Sequence, residues 1–255
     1  MSRATDLRVA LVTGAGRGIG RAVAEQLSGS GLKVALTARN EAELAETAAR
    51  CAGETLVIPA DLTEPDAVDS VFEAVEDTWG VVDVLVANAG AGTSAPLAST
   101  TDEQWQRMLD LNLTAPFRCM RRAVPAMVDR GAGRIVVVAS VAAKVGEPYI
   151  AAYTASKHGV LGLVRSAASE LAATGVTVNA VCPGYVDTPM TDATVLGIAE
   201  KTGRAAEDAR SVLERKQPIG RLIRPEEVAD TVSFCVRNGG MTGQGLNVDG
   251  GAVQS

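Results

Sequence analysis

The sequence predicts an α/β protein in which helices cover both faces of a parallel β-sheet. Short runs of apolar and β-branched residues alternate with amphipathic segments of helical period. A glycine-rich turn follows the first apolar run at once and opens an amphipathic segment. No linker, repeat or low-complexity stretch interrupts the alternation in the first half of the chain. Strands that alternate with helices in this way pair in parallel, and both faces of their sheet are buried.

The apolar runs are predicted to be the strands of this sheet. In the first run, residues 8–13, the four central residues are apolar, which is typical of a strand buried on both faces. The later runs have strand length and are rich in branched residues. The predicted strands cover residues 8–13, 33–38, 55–60, 83–87, 134–139, 176–181 and 244–248.

The amphipathic segments between the strands are predicted to be helices. Thr101 and Gln104 form a capping-box pattern that opens a long helix, in which we expect Pro116 to cause a bend and Pro125 to mark the end. Pro225 stands at the start of the last helix, where its missing N–H is tolerated. Further helices are predicted directly after the glycine-rich turn and over residues 40–50, 65–78 and 153–173.

Composition and charge exclude several classes of function. Hydrophobic residues make up 47% of the chain and charged residues 21%, as in ordinary globular proteins. The net charge of −6 argues against a nucleic-acid or anionic-membrane partner. The four cysteines lie far apart, so we expect free thiols in a reducing, cytoplasmic compartment. The polar N-terminus indicates no signal peptide, and no apolar run approaches the roughly 18 residues of a membrane span.

The only histidine, His158, argues against hydrolytic mechanisms. It directly follows Lys157, so on a helix it points away from the face that carries Tyr153. The sequence contains neither a Gly-x-Ser-x-Gly elbow for a serine hydrolase nor the ligand spacing of a zinc site. We therefore expect neither a hydrolase nor a metal site.

Gly14, Gly18 and Gly20 follow the first strand and open the next helix, a position that favours a dinucleotide site. Glycine allows positive φ angles, and its missing Cβ lets backbone N–H groups approach a pyrophosphate at a helix N-terminus. The spacing Gly-x-x-x-Gly-x-Gly differs from the commoner Gly-x-Gly-x-x-Gly. A tight turn without a ligand is the alternative interpretation.

Arg39 stands directly after the second strand, where a dinucleotide fold that uses NAD has an acidic residue for the ribose hydroxyls. Together with Arg17 in the glycine turn, it can flank a 2′-phosphate, which arginine binds in bidentate fashion. The sequence therefore favours NADP(H), while use of NAD(H) stays open. A solvated Arg39 at the start of a helix is the alternative.

Tyr153 and Lys157 lie four residues apart on a predicted helix, so both can reach one site. A phenol titrates near ~10, and an ammonium in a dry cleft together with a cationic cofactor ring would bring it toward neutrality. Ser140 ends the fifth strand at the sheet edge where ligands bind. Asn112, a poor helix former within a predicted helix, offers its amide to a site. A chance spacing of a buried tyrosine and a surface lysine is the alternative.

In combination, these residues resemble the short-chain dehydrogenase/reductase family over essentially the whole chain. The resemblance implies a single Rossmann-like domain over residues 1–255 with a seven-stranded, doubly wound parallel sheet. One departure is Ala87, where the family usually has a second asparagine. The matching residues are Thr13, Gly14, Gly18, Ile19, Gly20, Asp61, Leu62, Asn88, Ala89, Gly90, Asn112, Ser140, Tyr153, Lys157, Asn179, Pro183, Gly184 and Thr188.

The resemblance implies hydride transfer between a nicotinamide and a carbonyl carbon, with Asn112, Ser140, Tyr153 and Lys157 as a catalytic tetrad. Tyr153 would protonate the developing alkoxide, and Ser140 would hydrogen-bond the same oxygen. Lys157 would lower the pKa of Tyr153 and bind the nicotinamide ribose. Asn112 would hold a water that links Lys157 to solvent.

The predicted cofactor site extends along the sheet edge. The resemblance implies that Asn88 and Gly90 line the nicotinamide-side ribose, that Asp61 and Leu62 line the adenine, and that Thr188 binds the carboxamide. The predicted cofactor-binding residues are Gly14, Arg17, Gly18, Ile19, Gly20, Arg39, Asp61, Leu62, Asn88, Ala89, Gly90, Tyr153, Lys157, Pro183, Gly184 and Thr188.

The substrate class follows from the resemblance alone, which is closest to 3-oxoacyl-thioester reductases and polyketide ketoreductases. Residues 188–221 form a long charged segment after a strand, predicted to be a substrate lid that is helical in its later half. The lid cations can meet a CoA phosphate, and a group of arginines can meet an acidic carrier protein; solvated helix faces are the alternative. The lid cations lie between Lys201 and Lys216, and the arginines are Arg121, Arg122, Arg130 and Arg134.

Two other functions stay open. The first is an NAD-linked secondary-alcohol or hydroxyacyl-CoA dehydrogenase that works oxidatively, since the lid also resembles hydroxyacyl-CoA dehydrogenases of cyclic-acid degradation. The second is a non-catalytic NADP sensor, which we would expect to lack Tyr153 or Lys157, although both are present. The family also implies a homotetramer that pairs the helices over residues 102–130 and 153–173 between subunits.

Overall fold

A computed structural model of the chain describes residues 7–254, and its centre is a parallel sheet of seven strands. The strands are β1 (Val9–Thr13), β2 (Lys33–Ala38), β3 (Thr55–Pro59), β4 (Val84–Ala87), β5 (Gly133–Val138), β6 (Val176–Pro183) and β7 (Gly245–Val248). They lie in the order β3-β2-β1-β4-β5-β6-β7, and each neighbouring pair is parallel. The predicted α/β fold with a Rossmann-like, doubly wound sheet is confirmed.

Helices connect the strands and cover both faces of the sheet. In β1, Val9 and Leu11 belong to one apolar core and Ala10 and Val12 to another, because alternate side chains of a strand point to opposite faces. The helices are α1 (Gly18–Gly29), α2 (Glu41–Arg50), α3 (Ala67–Trp79), α4 (Asp102–Leu109), α5 (Ala115–Arg130), α6 (Ala151–Leu171), α7 (Pro189–Thr202), α8 (Ala206–Arg215) and α9 (Pro225–Arg237). The first core packs against α3, α5 and α6, and the second against α1, α2 and α9.

The long helix predicted after the capping box is divided. The capping box itself is present at the start of α4, but a π-helical turn, Asp110–Thr114, separates α4 from α5. The prediction that Pro125 ends the helix is wrong, since α5 continues beyond it. Ala123 and Met127 are buried in the core on either side of the proline. Their burial outweighs the backbone hydrogen bond that the proline ring removes.

The segment predicted to be a lid, residues 188–221, differs from the prediction in its first half, which is also helical. It consists of α7 and α8, joined at Gly203, whose φ of 69° suits a helix C-terminus. Val195 of α7, Leu213 of α8 and the following Leu222 form a small apolar core. Both halves are helical because the two helices bury their apolar faces against each other.

The carboxyl ends of β1 and β4 lie side by side near the centre of the sheet. From β1 the chain proceeds to β2 on one side, and it returns to the other side of β1 at β4. In an open α/β sheet, a crevice forms where the strand order reverses, and ligands bind there. The glycine turn after β1 and the Asn88–Gly90 segment after β4 therefore meet at this crevice.

Part of the sequence-based prediction concerns residues that the structure does not describe. The polar N-terminus, taken as evidence against a signal peptide, lies mostly in residues 1–6, outside the described range. Ser255 lies outside it as well. Within residues 7–254, no helix combines the length and the apolar character that crossing a membrane requires.

Candidate active site

The glycine turn between β1 and α1 has the shape that the sequence predicts. Gly14 and Gly18 have φ angles of 65° and 54°, which side-chain-bearing residues rarely adopt. A Cβ on Gly20 would lie 2.1 Å from the Gly14 carbonyl oxygen, so only glycine fits there. Arg17, at the N-cap of α1, forms no side-chain capping bond. The turn therefore leaves the N-terminus of α1 open to an anionic group such as a pyrophosphate.

Asn88 and Ala89 hold the glycine turn in place. The Asn88 side-chain Nδ2 donates to the carbonyl oxygens of Thr13 (2.9 Å) and Gly14 (3.2 Å). The Thr13 hydroxyl accepts hydrogen bonds from the backbone N–H groups of Asn88 (3.0 Å) and Ala89 (2.9 Å). The predicted cofactor residues after β4 and those after β1 are thus brought together. The Asn88 amide binds the turn, and the implied place of Asn88 beside the nicotinamide-side ribose stays a prediction.

Three of the four predicted catalytic residues line one cleft at the carboxyl edge of the sheet. Ser140 reaches it from the end of β5, and Tyr153 and Lys157 reach it from the first turns of α6. The Ser140 Oγ accepts a hydrogen bond from the Ala142 N–H at 3.1 Å. The other lining residues are Ile19, Asn88, Gly90, Ala91, Val138, Ala139, Pro183, Gly184, Val186, Thr188, Met190 and Thr191. Six of these, namely Ile19, Asn88, Gly90, Pro183, Gly184 and Thr188, are predicted cofactor residues.

Lys157 is buried, with only 5% of its surface exposed, and its ammonium is bound to the protein backbone. Nζ donates a hydrogen bond to the Val138 carbonyl oxygen at 3.0 Å. It also lies 5.7 Å from the centroid of the Tyr153 ring. Burial lowers the pKa of Lys157 to about 8, because a charged ammonium is poorly solvated in the protein interior.

The Tyr153 hydroxyl is in an environment that favours its neutral form. Burial raises its pKa, a hydrogen bond with Ser140 lowers it, and the nearby Cys182 and Glu147 raise it further. The Lys157 ammonium interacts with Val138 and with the Tyr153 ring. The proposed lowering of the Tyr153 pKa by Lys157 therefore stays a prediction for the cofactor complex.

Asn112 lies in the π-helical turn and is 1% exposed. Its Nδ2 donates to the Ala91 carbonyl oxygen (2.9 Å) and to the Ser156 Oγ (3.2 Å), and its Oδ1 accepts from the Ala91 N–H (3.1 Å). A Cβ placed on Gly90 would lie 2.9 Å from the Asn112 Oδ1 and 3.6 Å from the Lys157 Nζ. The structure thus places Asn112 beside Lys157. Its amide binds protein groups, and its predicted role as a water ligand stays a prediction.

The predicted adenosine end of the site lies at the start of α2, and both of its arginines face a carboxylate. Arg39 Nη1 lies 3.8 Å from the Asp61 carboxylate, and Arg17 Nη1 lies 3.5 Å from Glu43. The side chain of Arg39 is 70% exposed. Hydrogen bonds from Thr63 are the main cause of a lowered Asp61 pKa. Neighbouring Leu62 is buried among core residues. Most of the surface of both arginine side chains is exposed and can contact a ligand.

Residues after β6 complete the cleft, and here the structure adds residues that the sequence analysis missed. Thr188 is the N-cap of α7 and lies next to the glycine turn, where a Cβ on Gly18 would be 3.1 Å from its Cγ2. The buried Gln217 accepts a hydrogen bond from the Tyr185 N–H (2.9 Å) and donates to the Tyr185 carbonyl oxygen (3.1 Å). It thereby fixes the turn after Gly184. No local sequence pattern marks Gln217, since its partner is distant in the chain.

Most of the arginines predicted to meet a carrier protein have partners within the chain. Arg122 forms a bidentate ion pair with Glu76, with distances of 2.9 and 2.5 Å. Arg130 pairs with the buried Asp83. Arg134 is itself buried, and its guanidinium binds backbone carbonyl oxygens. These three side chains therefore support the sheet and the helices around it, and their contact with a carrier protein stays a prediction.

Comparison with known proteins identifies the family of the chain. The family model described as short chain dehydrogenase matches residues 8–197. A 3-oxoacyl-[acyl-carrier-protein] reductase from Synechocystis is 38% identical over 98% of both chains. A cis-4-hydroxycyclohexanecarboxylate dehydrogenase from Sinomonas cyclohexanicum is also 38% identical over 98% of both chains. The crystal structure of a variant of actinorhodin polyketide ketoreductase with NADPH superposes with a TM-score of 0.93, at 38% identity and 99% coverage of both chains.

The glycine cradle, the open N-terminus of α1 and the cleft lined by Tyr153 and Lys157 fit a nicotinamide dinucleotide along the sheet edge. The family match covers most of the chain, and the cited relatives align with it over nearly their full length. The protein therefore belongs to the short-chain dehydrogenase family and is an oxidoreductase that uses a nicotinamide cofactor.

Proposed function

We propose that the protein is an NADPH-dependent carbonyl reductase that acts on a 3-oxoacyl thioester or a polyketide-like ketone. The observation that carries this proposal is the convergence of Ser140, Tyr153 and Lys157 on the cleft beside the glycine turn. A bound nicotinamide supplies the hydride to the carbonyl carbon. The chain then has to bind the carbonyl oxygen, deliver a proton to it and keep water away.

The neutral form of Tyr153 suits a proton donor. Burial, Cys182 and Glu147 together raise its pKa by more than the hydrogen bond with Ser140 lowers it, so the hydroxyl keeps its proton at neutral pH. In the proposed reaction, Tyr153 donates that proton to the alkoxide oxygen, and Ser140 hydrogen-bonds the same oxygen. Lys157 holds a positive charge near the ring and stabilises the phenolate that remains.

The preference for NADPH rests on Arg17 and Arg39. Arg17 lies in the glycine turn and Arg39 directly before α2, and both side chains are more than half exposed. A 2′-phosphate between them would exchange two solvated carboxylate contacts for charge-assisted hydrogen bonds. The solved structure cited above, which contains NADPH, supports the same preference.

The thioester substrate is proposed by analogy with the Synechocystis reductase, whose name specifies an acyl-carrier-protein substrate. Met190 of α7 lines the cleft, and Met190 and Leu196 of this helix are exposed apolar side chains. Apolar surface at this position suits an acyl chain or a fused ring. Lys201, a cation of the predicted lid, lies beside Ser94, with 3.2 Å between its Nζ and the Ser94 Oγ. It is the proposed contact for the phosphate of a CoA thioester.

The proposal is tested by measuring oxidation of NADPH and of NADH with acetoacetyl-CoA, side by side. Turnover with NADPH alone is the expected result. NADPH binding without turnover would redirect the search to cyclic or polyketide ketones. A preference for NADH would overturn the cofactor proposal.

The role of Tyr153 as the acid is tested by replacing it with phenylalanine. Tyr153→Phe removes the hydroxyl and keeps the ring, so turnover should fall by orders of magnitude while NADPH binding is retained. Tyr149→Phe is the matched control, because Tyr149 is 67% exposed and removal of its hydroxyl should leave turnover unchanged. Near-normal turnover of Tyr153→Phe would remove the acid assignment.

The second candidate is an NAD-linked hydroxyacyl-CoA or secondary-alcohol dehydrogenase that works oxidatively. The similarity to cis-4-hydroxycyclohexanecarboxylate dehydrogenase favours it, since that protein is named for alcohol oxidation. The same residues serve both directions, because Tyr153 would then accept the proton of the alcohol. Faster reduction of NAD⁺ with a cyclic hydroxy acid than oxidation of NADPH with acetoacetyl-CoA would select this candidate.

We also propose that the protein is cytoplasmic and assembles as a homotetramer through the helices over residues 102–130 and 153–173. Trp105 of α4 and Phe117 of α5 support this, since each is 41% exposed in the single chain although aromatic side chains favour burial. Light scattering after size-exclusion chromatography tests the assembly. A monomeric mass at micromolar concentration would contradict it.

A further inference from the structure

Lys216, at the C-cap of α8, takes part in a polar cluster at the edge of the active-site cleft. Its Nζ lies 3.0 Å from the Glu147 Oε2 and 3.2 Å from the Tyr185 hydroxyl. The Tyr185 hydroxyl donates to the same Glu147 oxygen at 2.9 Å. The ammonium also stands 5.3 Å from the centroid of the Tyr185 ring. One carboxylate oxygen therefore receives both a cation and a phenol.

The three side chains come from three segments that border the cleft. Glu147 lies in the loop that leads to the acid candidate Tyr153. Tyr185 follows the cleft residue Gly184, and the buried Gln217 binds its backbone on both sides. Lys216 belongs to the lid. The cluster thus joins the lid to the loop before Tyr153 and to the turn predicted to hold the cofactor.

We propose that Glu147 and Lys216 are positioning residues of the active site: the lid lysine binds the loop carboxylate and so controls how much negative charge the reacting hydroxyl of Tyr153 faces. Neither residue contacts the reacting atoms in this proposal. It rests on the proposed function, because it takes Tyr153 as the proton donor. It goes further in giving the lid a direct electrostatic effect on that donor.

Polar and titratable groups approach Tyr153 from several elements. Ser140 follows β5, Cys182 is part of β6, Lys157 is one turn further along α6, and Glu147 approaches from the preceding loop. Cys182 has a pKa raised mainly by burial, so its thiol is neutral at neutral pH. Glu147 is the carboxylate that raises the pKa of Tyr153, in addition to burial and Cys182. Its effect depends on Lys216, because a carboxylate paired with a cation has a weaker field at a distance than a free one.

The test uses two variants that break the same ion pair from opposite ends. Glu147→Gln removes a negative charge, so the alkaline limb of the kcat/KM profile should move to lower pH by about 0.5. Lys216→Met removes the compensating cation, so the limb should move to higher pH by a similar amount. Removal of nearby negative charge lowers the pKa of a tyrosine and of a lysine alike. The expected directions of the shifts are therefore the same whether Tyr153 or Lys157 determines the alkaline limb.

Two further variants separate charge from packing. The double variant Glu147→Gln/Lys216→Met loses both charges, so its alkaline limb should return close to the wild-type position. Lys216→Arg keeps the charge, and its limb should stay in place. If the cluster only held the lid in place, both single variants would shift the pH profile in the same direction. The double variant would then not restore the wild-type profile.

Lys33→Met is the matched control. Lys33, the first residue of β2, also contacts one carboxylate and one aromatic ring. Its Nζ lies 2.9 Å from Glu54 and 5.7 Å from the Trp79 ring centroid. The two lysine side chains are similarly exposed, 41% for Lys33 and 45% for Lys216. Lys33→Met should leave the pH profile unchanged.

The outcomes distinguish this inference from the proposed function. If Tyr153→Phe keeps its turnover, the proposed acid is wrong and the inference falls with it. If Tyr153→Phe is inactive but the two single variants shift the profile in the same direction or not at all, only the inference is overturned. Opposite shifts, restored in the double variant, would support it.

Discussion

The side-chain amide of Asn112 forms hydrogen bonds in both directions with the backbone of one residue, Ala91. Ala91 N–H donates to the Asn112 Oδ1 at 3.1 Å, and the Asn112 Nδ2 donates to the Ala91 carbonyl oxygen at 2.9 Å. The pair connects the π-helical turn between α4 and α5 to the segment after β4. Asn112 thereby fixes Ala91, which lines the cleft, whatever further role it has with water.

Asn112→Asp should destabilise the protein. The carboxylate keeps an acceptor for the Ala91 N–H but faces the Ala91 carbonyl oxygen and loses its donor to Ser156. A buried donor lost in this way should lower the free energy of unfolding by roughly 1–3 kcal/mol. Urea denaturation measures the change. Asn40→Asp is the control, because Asn40 caps α2 by accepting only, and aspartate caps equally well. Equal stability of the two variants would contradict the prediction.

Lys157→Met should stabilise the folded protein while abolishing turnover. Burial lowers the pKa of Lys157 from 10.5 to about 8, so below pH 8 the folded protein carries a poorly solvated charge. The unfolded chain binds more protons between these two values, so wild-type stability rises as pH increases through that window. At pH 7 the variant should be more stable by roughly 1–3 kcal/mol, since the lost bond to Val138 offsets part of the gain. Urea titrations at pH 7 and 9.5 check this, and a constant difference would argue against it.

Arg39→Asp should change the cofactor preference. The substitution removes one of the two cations proposed to bind the 2′-phosphate and adds a carboxylate that repels it. We expect NADPH to bind more than tenfold more weakly and NADH to be spared, as measured by fluorescence titration. Arg50→Asp, at the other end of α2, is the control, since Arg50 is 60% exposed and pairs with Glu25. Equal losses for both cofactors would count against a role in phosphate binding.

Gly20→Ala should disrupt the cofactor turn. The added Cβ would lie 2.1 Å from the Gly14 carbonyl oxygen and 2.5 Å from the Asn88 Nδ2, so the turn has to move. Cofactor binding should fall at least tenfold, and the melting temperature should decrease. Gly29→Ala, at the other end of α1, is the control. A Cβ there meets nothing within 4 Å, so the substitution should be neutral or add about 0.5–1 kcal/mol of stability. Unchanged binding in Gly20→Ala would contradict the proposed cradle.

The fold was predictable because its signals are local. β5 and β6 are rich in apolar residues and buried at every position, as is typical of strands covered on both faces. The segments between strands repeat their apolar residues with helical period. Where the prediction was wrong, a tertiary contact outweighed a local signal, as at Pro125 in α5 and in the helical first half of the segment predicted to be a lid.

The location of the candidate site was predictable for a related reason. Parallel strands end at one edge of the sheet, so residues that directly follow β1, β4, β5 and β6 must come close together. Ser140 and Gly184 follow two of these strands, and both line the cleft with Tyr153 and Lys157. The distance of four residues between Tyr153 and Lys157 then placed both side chains on one helical face.

The sequence by itself determined the order of strands and helices, the glycine turn and the set of residues that meets at the sheet edge. Only the tertiary structure decided which atoms those residues bind. Lys157 donates a hydrogen bond to the Val138 carbonyl oxygen, and Lys216 binds Glu147, which lies 69 positions earlier in the chain. Periodicity and strand ends are encoded within a few residues. The partner and the pKa of a buried polar group depend on segments that are distant in sequence and on their removal from water.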